Sequence, residues 1–596
     1  MSSESLLEQL CAPCAEINLR FQDKPEWQDG PIREYSNPEE LGDAAARACP
    51  MCIAIAMSHD ATHDFYRVGA YDSHSAIKVF HALQKDELES NIFWECQSRV
   101  AGKADQNKPG KSSSISSSLG GFFASEEPDS AKLPTRVIDV CLDGSGPPFL
   151  HISLDEEDEP DARYVALSYC WGGPQADCLT NENIDDKCKD IRLQNLGKTI
   201  QDAIEITRKL GIRFIWVDSQ CIIQDSRTDW QIESSRMGSI YHNAEITLQA
   251  SRAPNSNAGC LLPRKLPTSP RSHFDSQASP DPLDDRGWTL QEGLLARRII
   301  SLKSRHITWE CGLAFKSESG APLHSQGSFL GLPKPILTRR KNDQVAEALS
   351  NQLGERLQPV LTWEFIVREF TNRRLSFPTD KLPAIAGIAR HLEKTRPGDS
   401  YLAGMWKSDM PWSLLWGPDQ SSTRPAEYRA PSWSWASLDG SISCFGDTMG
   451  WWDEEPQAHC VVEDASVTPK GLDEFGEVFD GYLTVRGALK EAWWMACPGH
   501  HDIKDKLVYI FEEPKVPDPT DHVFSRKLGL LALDLQEPDM QWNTPVPVWC
   551  LRVTATDAVA LVKKKEGTYR RVGICCVDDH KTSWFEGTHP TQITVV

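Results

Sequence analysis

Apolar residues recur with two different periods in the segment that precedes the chain's midpoint. Tyr164–Tyr169 and Arg213–Val217 are apolar runs of the length of a buried strand, and Ala244–Ala250 alternates apolar with polar residues. Lys198–Leu210 has its apolar residues at helical spacing and is followed by Gly211, a residue type that commonly ends helices. A strand, a helix and a second strand in this order predict a parallel pair joined by a right-handed crossover.

Further elements extend this unit toward its C-terminal side. The pattern predicts a helix that ends at Tyr241, a short helix over Trp288–Leu295, and strands over Arg298–Leu302 and His306–Glu310. Arg252–Leu283 is a long loop rich in Pro and Ser. We therefore expect an α/β domain whose sheet has a few strands, mostly parallel, with helices on both faces.

Changes in composition divide the remainder of the chain. Ser, Gly and Lys dominate the stretch before the α/β segment, which is typical of a flexible linker, and strand patterns prevail after Tyr428. The predicted parts are an N-terminal Cys-rich unit over residues 1–100, a linker over 101–133, the α/β domain over 134–312, a helical connector over 313–425, and a mixed α+β, β-rich C-terminal domain over 426–596.

The charge of the chain narrows the choice of partners. The formal net charge at pH 7 is −22, and the sequence contains no large run of Lys and Arg, so we expect no binding to nucleic acid. No apolar run approaches the ~18 residues that a membrane helix needs, and the first residues do not form a secretory signal. We therefore expect a cytoplasmic protein without a membrane span, whose 18 cysteines are mostly reduced.

Three blocks place polar and aromatic residues directly after an apolar run or at a predicted helix start. They are Tyr164-Val-Ala-Leu-Ser-Tyr-Cys-Trp-Gly-Gly173, Phe214-Ile-Trp-Val-Asp-Ser-Gln-Cys-Ile-Ile-Gln-Asp225 and Arg286-Gly-Trp-Thr-Leu-Gln-Glu292. In α/β proteins, ligands bind at the carboxyl ends of parallel strands. The blocks are therefore candidate ligand-binding segments, and a tight turn packed by Trp171 is the structural alternative for the first block.

The same blocks, together with Met237-Gly-Ser-Ile-Tyr241, resemble the fungal heterokaryon incompatibility (HET) domain from Tyr164 to about Cys311. Asp380-Lys-Leu-Pro-Ala-Ile-Ala-Gly-Ile-Ala389 and Ala430-Pro-Ser-Trp-Ser-Trp-Ala-Ser437 resemble segments that follow the domain in this group. In the family, the domain is the toxic effector of a non-self recognition response that kills fused cells of unlike genotype. The resemblance implies an effector of programmed cell death that forms a homo-oligomer or binds a partner incompatibility protein.

The order of a Ser-Tyr strand, a helix, a strand, and then Ser251 followed by Trp288-Thr-Leu-Gln-Glu292 is also similar to the TIR domain. TIR domains have a flavodoxin-like fold, and some hydrolyse NAD with a glutamate carried on a helix. The similarity implies that Glu292 is catalytic and that NAD is the substrate. A long loop separates Ser251 from Trp288 in this chain, whereas TIR domains have only a few residues there.

The candidate residues have expected roles in a catalytic site, and Glu292 also has a structural alternative. The Glu292 carboxylate would stabilise the positive charge that develops as the nicotinamide bond breaks, or it would pair with Arg297 or Arg298. The expected pocket-lining residues are Ser168, Tyr169, Trp171, Gly172, Asp218 and Trp288. The alternative to catalysis is a signalling or self-association module without enzymatic activity.

Two Cys-x-x-Cys pairs in the N-terminal unit suggest a metal site. Cys11, Cys14, Cys49 and Cys52 would supply four thiolates to a tetrahedral Zn²⁺ ion in a reducing compartment. His59 and His63 are alternative ligands, and four metal-free thiols are the structural alternative.

Zinc analysis of the purified full-length chain tests this site. If the four cysteines bind Zn²⁺, the chain contains about one zinc per molecule by plasma mass spectrometry. Replacing Cys11 and Cys49 by Ser removes the zinc, whereas Cys311→Ser, which lies outside both pairs, leaves it in place. A wild-type content below about 0.5 zinc per chain would contradict the assignment.

Overall fold

The computed structural model describes residues 132–142, 144, 146–153, 162–175, 177–261, 280–304, 307–311, 362–419, 422–444, 457–495, 507–514, 527–535 and 544–596, and the backbone of three further strands. Two of these strands, β1 (Arg33–Tyr35) and β2 (Tyr66–Val68), form an antiparallel pair. Cys11, Cys14, Cys49 and Cys52 lie outside the described residues. The zinc site therefore stays a prediction.

The chain divides into two compact units. The first comprises Met1–Trp230, Ser239–Asp284 and Leu295–Lys334, and the second comprises Gln231–Gly238, Asp285–Leu294 and Pro335–Val596. The boundaries of the five predicted parts remain predictions.

The first unit is built on an eight-stranded sheet, counted over the described residues. Its strands are β3 (Arg136–Asp139), β4 (Phe149–Ile152), β5 (Tyr164–Ser168), β6 (Phe214–Trp216), β7 (Ile246–Gln249), β8 (Arg298–Leu302), β9 (Ile307–Cys311) and β10 (Ala314–Ser317). They lie in the order β10-β9-β8-β7-β5-β6-β3-β4. The helices along this stretch are α1 (Ile184–Lys187), α2 (Lys198–Lys209), α3 (Asp218–Cys221) and α4 (Arg227–Asn243), with a 3-10 turn at Leu193–Asn195.

The four central strands of this sheet run parallel. Strand β5 pairs with β6 on one side and with β7 on the other, and β7 pairs with β8. The pairs β3–β4, β3–β6, β8–β9 and β9–β10 are antiparallel. The expectation of a mostly parallel sheet is therefore wrong, and the sheet is mixed. The physical reason is that β8, β9 and β10 are joined by connections too short for the crossover that a parallel pair requires.

The local patterns that predicted the parallel core correspond to its elements. Helix α2 buries Ile200, Ala203 and Ile204 on one stripe, as the helical spacing predicts. Gly211 follows this helix with φ +68°, a conformation that costs glycine little because it has no Cβ. At the start of α4, the Ser226 hydroxyl accepts a hydrogen bond from the amide of Asp229 and caps the helix.

Over the described residues, three helices and a large, mainly antiparallel sheet follow in the second unit. The helices are α5 (Trp288–Leu295), α6 (362–371) and α7 (Pro383–Glu393), with 3-10 turns at Pro378–Lys381, Lys407–Asp409, Trp412–Leu414, Trp435–Ser437 and Asp579–Phe585. Two small antiparallel pairs are β11 (Tyr401–Leu402) with β12 (Met405–Trp406) and β13 (Gly417–Pro418) with β14 (Ile442–Ser443). The sheet consists of β15 (Cys460–Pro469), β16 (Val478–Met495), β17 (Leu507–Phe511), β18 (Gly529–Leu533), β19 (Val546–Arg552), β20 (Asp557–Lys565), β21 (Thr568–Val577) and β22 (Pro590–Val595).

Six of these strands close into a barrel. Strand β16 pairs with both β17 and β19, and the ring continues through β18, β21 and β20, with every pairing antiparallel. All six strands contribute side chains to one buried apolar cluster, which includes Trp494, Ile510, Leu531 and Val548. Closure leaves none of these strands with a free edge. The prediction of a β-rich C-terminal region is confirmed.

Across the part of the chain that the structure describes, none of the helices is both long enough and apolar enough to cross a membrane.

A buried ion pair fastens the barrel to the preceding loops of the second unit. The Arg571 guanidinium donates to the Asp534 carboxylate at 3.1 Å and also to the carbonyls of Leu414 and Trp416. It lies 3.6 Å from the centre of the Trp416 ring. Both charged side chains are almost fully buried, so each charge depends on the other for its stability.

Removing one member of this pair tests its contribution. Asp534→Asn leaves the Arg571 charge buried without a counter-ion and should lower the free energy of unfolding by about 3–5 kcal/mol. Glu463→Gln, which breaks the exposed pair with Arg486, should change it by no more than about 1 kcal/mol. Urea unfolding followed by tryptophan fluorescence measures both. Equal small effects of the two variants would show that the buried pair is not essential.

Candidate functional site

The first two motif blocks meet at the carboxyl ends of β5 and β6. The Trp171 indole Nε1 donates a hydrogen bond to Asp218 Oδ2 at 2.8 Å, and the Tyr169 hydroxyl donates to Ser219 Oγ at 2.8 Å. Asp218 Oδ1 accepts from the Ser219 amide at 2.6 Å. The structure therefore brings Tyr169, Trp171 and Asp218 together, and their mutual hydrogen bonds hold the loop after β5 against the short helix α3.

Gly172 adopts a conformation that needs glycine. Its φ is +72°, and a Cβ added there would lie 2.0 Å from the Cβ of Asn255. The amide of Ser256 also donates to the carbonyl of Trp171 at 3.2 Å. The backbone at Gly172 is thus approached closely by the chain's own loop after β7.

One face of the parallel core carries a row of buried polar side chains. In the strand register, Ser168 lies beside Gln249, and Ala166 lies between Trp216 and Thr247. Neighbouring residues in register point to the same face of a sheet. The intervening positions, among them Val165, Leu167 and Leu248, belong to the opposite face because side chains alternate along a strand, and they are aliphatic.

This row is deficient in hydrogen-bond partners. Among the described residues, no partner contacts Ser168 Oγ, Trp216 Nε1, Thr247 Oγ1, Gln249 Nε2 or Ser251 Oγ, although all five atoms are buried. We call these five residues the polar row. A buried polar group without a partner costs about 1–3 kcal/mol. Five such groups in one part of the sheet are therefore unusual for a region with only a packing role.

The chemistry of the polar row is neutral and rich in donors. Gln249 Oε1 already accepts a hydrogen bond from Ser301 Oγ at 2.7 Å, which leaves the amide NH₂ and the Trp216 N–H as donors. The hydroxyls of Ser168, Thr247 and Ser251 donate or accept. The row contains no charged group and suits an uncharged ligand with several oxygen acceptors.

The sequence prediction identified only part of this row. Ser168 was an expected pocket residue, and Ser251 entered only through the TIR comparison. Trp216, Thr247 and Gln249 were missed. For Thr247 and Gln249 the signal was the alternation of polar with apolar residues in β7, a strand whose two faces are both buried.

The third motif block belongs to the second unit. The Trp288 indole Nε1 donates to Asp380 Oδ2 at 2.9 Å, and Gln291 Oε1 accepts from the Gly387 amide at 3.2 Å. Burial raises the pKa of Asp380, and the hydrogen bond from Trp288 opposes this rise. These contacts hold α5 against the segment that contains Asp380 and Gly387. This segment is the one that resembles a region following the domain in the HET group.

Glu292 lies on the same short helix as Trp288 and is 6% exposed. Arg298, one of the two arginines expected as a structural partner, forms an ion pair with Glu245 at 3.0 Å. Glu292 and Trp288 belong to the second unit, whereas Ser168, Tyr169, Trp171, Gly172 and Asp218 belong to the first.

Cys178, the thiol that interacts electrostatically with Asp218, is not activated as a nucleophile. Burial and the negative charge of Asp218 raise the pKa of Cys178 to about 11, so little thiolate exists at neutral pH. Among the residues that the structure describes, no group of three or more His, Cys, Asp or Glu side chains is placed to hold a metal ion.

Comparison with known proteins gives one match. Residues 164–292 match the family model described as "Heterokaryon incompatibility protein (HET)". No curated protein and no solved structure matches the chain. The matched segment begins with β5, includes all three motif blocks and the polar row, and ends at Glu292. The segment 164–292 is therefore assigned to the HET family.

Proposed function

We propose that this protein acts in the cytoplasm as an effector of heterokaryon incompatibility and of the regulated cell death that follows non-self recognition. The match of residues 164–292 to the HET family supports this role. We further propose that it acts as a homo-oligomer or together with a partner incompatibility protein.

The proposed fold of the HET domain is flavodoxin-like and related to the TIR domain. The order of the parallel core supports it. Numbered along the chain, the strands β5, β6, β7 and β8 lie in the order 2-1-3-4, which is how flavodoxin-like sheets begin. In such sheets the ligand lies beyond the carboxyl ends of the strands, and Ser168, Trp216 and Gln249 of the polar row are the last residues of their strands.

The proposed ligand of the polar row is the neutral, oxygen-rich part of NAD. Ribose and the nicotinamide carboxamide present hydroxyl, ether and carbonyl oxygens without charge, which matches the uncharged donors of the row. The observation that carries this assignment is the set of five buried polar atoms without partners. Tyr169, Trp171, Gly172 and Asp218 shape the loop beside it.

The proposed reaction is hydrolysis of NAD with Glu292 as the catalytic carboxylate. The bond between the ribose C1′ and the nicotinamide nitrogen breaks, and its electron pair leaves with nicotinamide. A water oxygen then bonds to C1′ and releases a proton, which gives ADP-ribose. The Glu292 carboxylate would stabilise the positive charge on the sugar in the transition state.

A non-catalytic signalling or self-association module is the second candidate function. The hydrogen bond from Trp288 to Asp380 and that from Gly387 to Gln291 favour it. They give the third block a structural role in the second unit, which explains its residues without any chemistry at Glu292.

Paired threonine variants test the polar row. Thr247→Val removes a hydroxyl that has no partner, so the free energy of unfolding should stay unchanged or rise by up to about 2 kcal/mol. Thr207→Val is the matched control: its buried hydroxyl donates to the Ala203 carbonyl at 2.7 Å, and its loss should cost about 1 kcal/mol.

The same pair distinguishes a ligand site from buried water. NAD should raise the melting temperature of the wild type and of Thr207→Val, but should raise that of Thr247→Val much less. If Thr247→Val is destabilised as much as Thr207→Val, and NAD has no effect on the wild type, the row is satisfied by water and the ligand assignment is wrong.

A glutamate pair tests the proposed reaction. Glu292→Gln keeps the shape of the side chain and removes its charge, so NAD consumption measured by chromatography should fall about 100-fold. Glu364→Gln changes a glutamate of similar burial on α6 and should leave the rate unchanged. Circular dichroism checks that both variants fold.

Induced expression in a fungal host separates the two candidate functions. Growth arrest that is lost in Glu292→Gln and kept in Glu364→Gln supports NAD hydrolysis. Arrest that persists in Glu292→Gln, with no NAD consumed by the wild type, supports the non-catalytic module.

A further inference from the structure

The second unit contains a cluster of positive side chains that is unexpected in so acidic a chain. Electrostatic interactions connect Arg424 with Arg570, Arg429 and Arg571, and connect Arg429 with Lys381. These residues are dispersed along the sequence, so the folding of the second unit alone creates the cluster. The formal charge of the whole chain is −22.

The nearby carboxylates are already engaged. Asp534 accepts from Arg571 at 3.1 Å, and Asp439 accepts from Arg429 Nη1 at 2.7 Å. Within the described part of the chain, no ion pair is formed by Arg424 or Arg570. The positive charges of these two guanidinium groups are therefore in excess.

Three donor atoms of the cluster are buried and have no hydrogen-bond partner in the described residues. They are Arg424 Nε, Arg429 Nη2 and Arg570 Nε. The Arg429 side chain is only 7% exposed, and its other donors are held by the carbonyls of Ala436 and Pro378 and by Asp439. Because these atoms are shielded from bulk water, solvation does not compensate for the missing partners.

The electrostatics of the cluster agree with an incomplete site. Burial and the neighbouring arginines lower the pKa of Arg424, and burial together with Arg429 lowers the pKa of Lys381 to about 8. Lys381 is buried, with its Nζ 5.8 Å from the centre of the Trp435 ring. An anion placed here would remove both the repulsion among the cations and the deficit of hydrogen-bond acceptors.

We propose that Arg424, Arg429 and Arg570 form a binding site for a phosphate group of a small molecule, with Lys381 as a supporting positive charge. Guanidinium groups donate hydrogen bonds in a planar fork that fits phosphate oxygens, and phosphate carries enough charge to balance two unpaired arginines. The burial of the donors favours a small ligand over a phosphorylated protein segment. This site lies outside the matched segment 164–292 and does not depend on NAD hydrolysis.

Calorimetric titration of the full-length chain tests the site. The probes are inorganic phosphate, pyrophosphate and ADP, with adenosine as the uncharged control. Pyrophosphate should bind the wild type, and Arg424→Gln or Arg570→Gln should weaken binding by about tenfold or more, since each removes a charge-assisted hydrogen bond. Arg486→Gln removes an arginine of β16 that is paired with Glu463 of β15 and should leave the affinity unchanged.

Thermal unfolding without phosphate provides a second readout. Arg424→Gln should keep or raise the melting temperature, because it relieves repulsion among the cations of the empty cluster. If Arg424 had a purely structural role, the same substitution would lower the melting temperature. Tighter binding of ADP than of pyrophosphate assigns the site to nucleotides, and equal binding assigns it to the phosphate group alone. Absence of binding up to millimolar pyrophosphate, an equal loss of affinity in Arg486→Gln, or destabilisation by Arg424→Gln would each overturn the proposal.

Discussion

The parallel pairing of β5 with β6 and β7 is the constraint on which the candidate site depends. Its register places Ser168 beside Gln249 and places the small Ala166 between Trp216 and Thr247. Because side chains alternate between the two faces of a strand, a slip by one residue would exchange these groups for Val165 and other aliphatic residues. The same register carries the Tyr169–Trp171 loop to Asp218, so the polar row and the hydrogen-bonded loop have a common origin.

The motif residues fall into two physical classes. Trp171 and Asp218 satisfy each other, and Trp288 is satisfied by Asp380, so these polar side chains primarily determine how loops and helices are held. The polar row differs because its buried groups have no partners among the described residues. The free-energy cost of burying polar groups without partners is offset where a ligand supplies the missing hydrogen bonds. We therefore base the ligand assignment on the polar row and not on the motif residues.

The sequence predicted those features that local patterns determine. The helix over Trp288–Leu295 and strand β8 have the predicted bounds, because periodicity and flanking residues specify them. The antiparallel flanks of the first sheet and the closure of the barrel depend on pairings between distant segments, which no local period encodes. The cluster around Arg424 and Arg570 was missed for the same reason: the sequence contains no large run of Lys and Arg, and folding brings the arginines together.

We propose that the carboxyl ends of the parallel strands form a ligand site. A crystal structure of the full-length protein grown with NAD is the decisive experiment. We expect density for a ligand whose uncharged oxygens lie within hydrogen-bond distance of Thr247 Oγ1, Gln249 Nε2 and Trp216 Nε1. Ordered water alone at these atoms, with NAD absent or bound elsewhere, would contradict it.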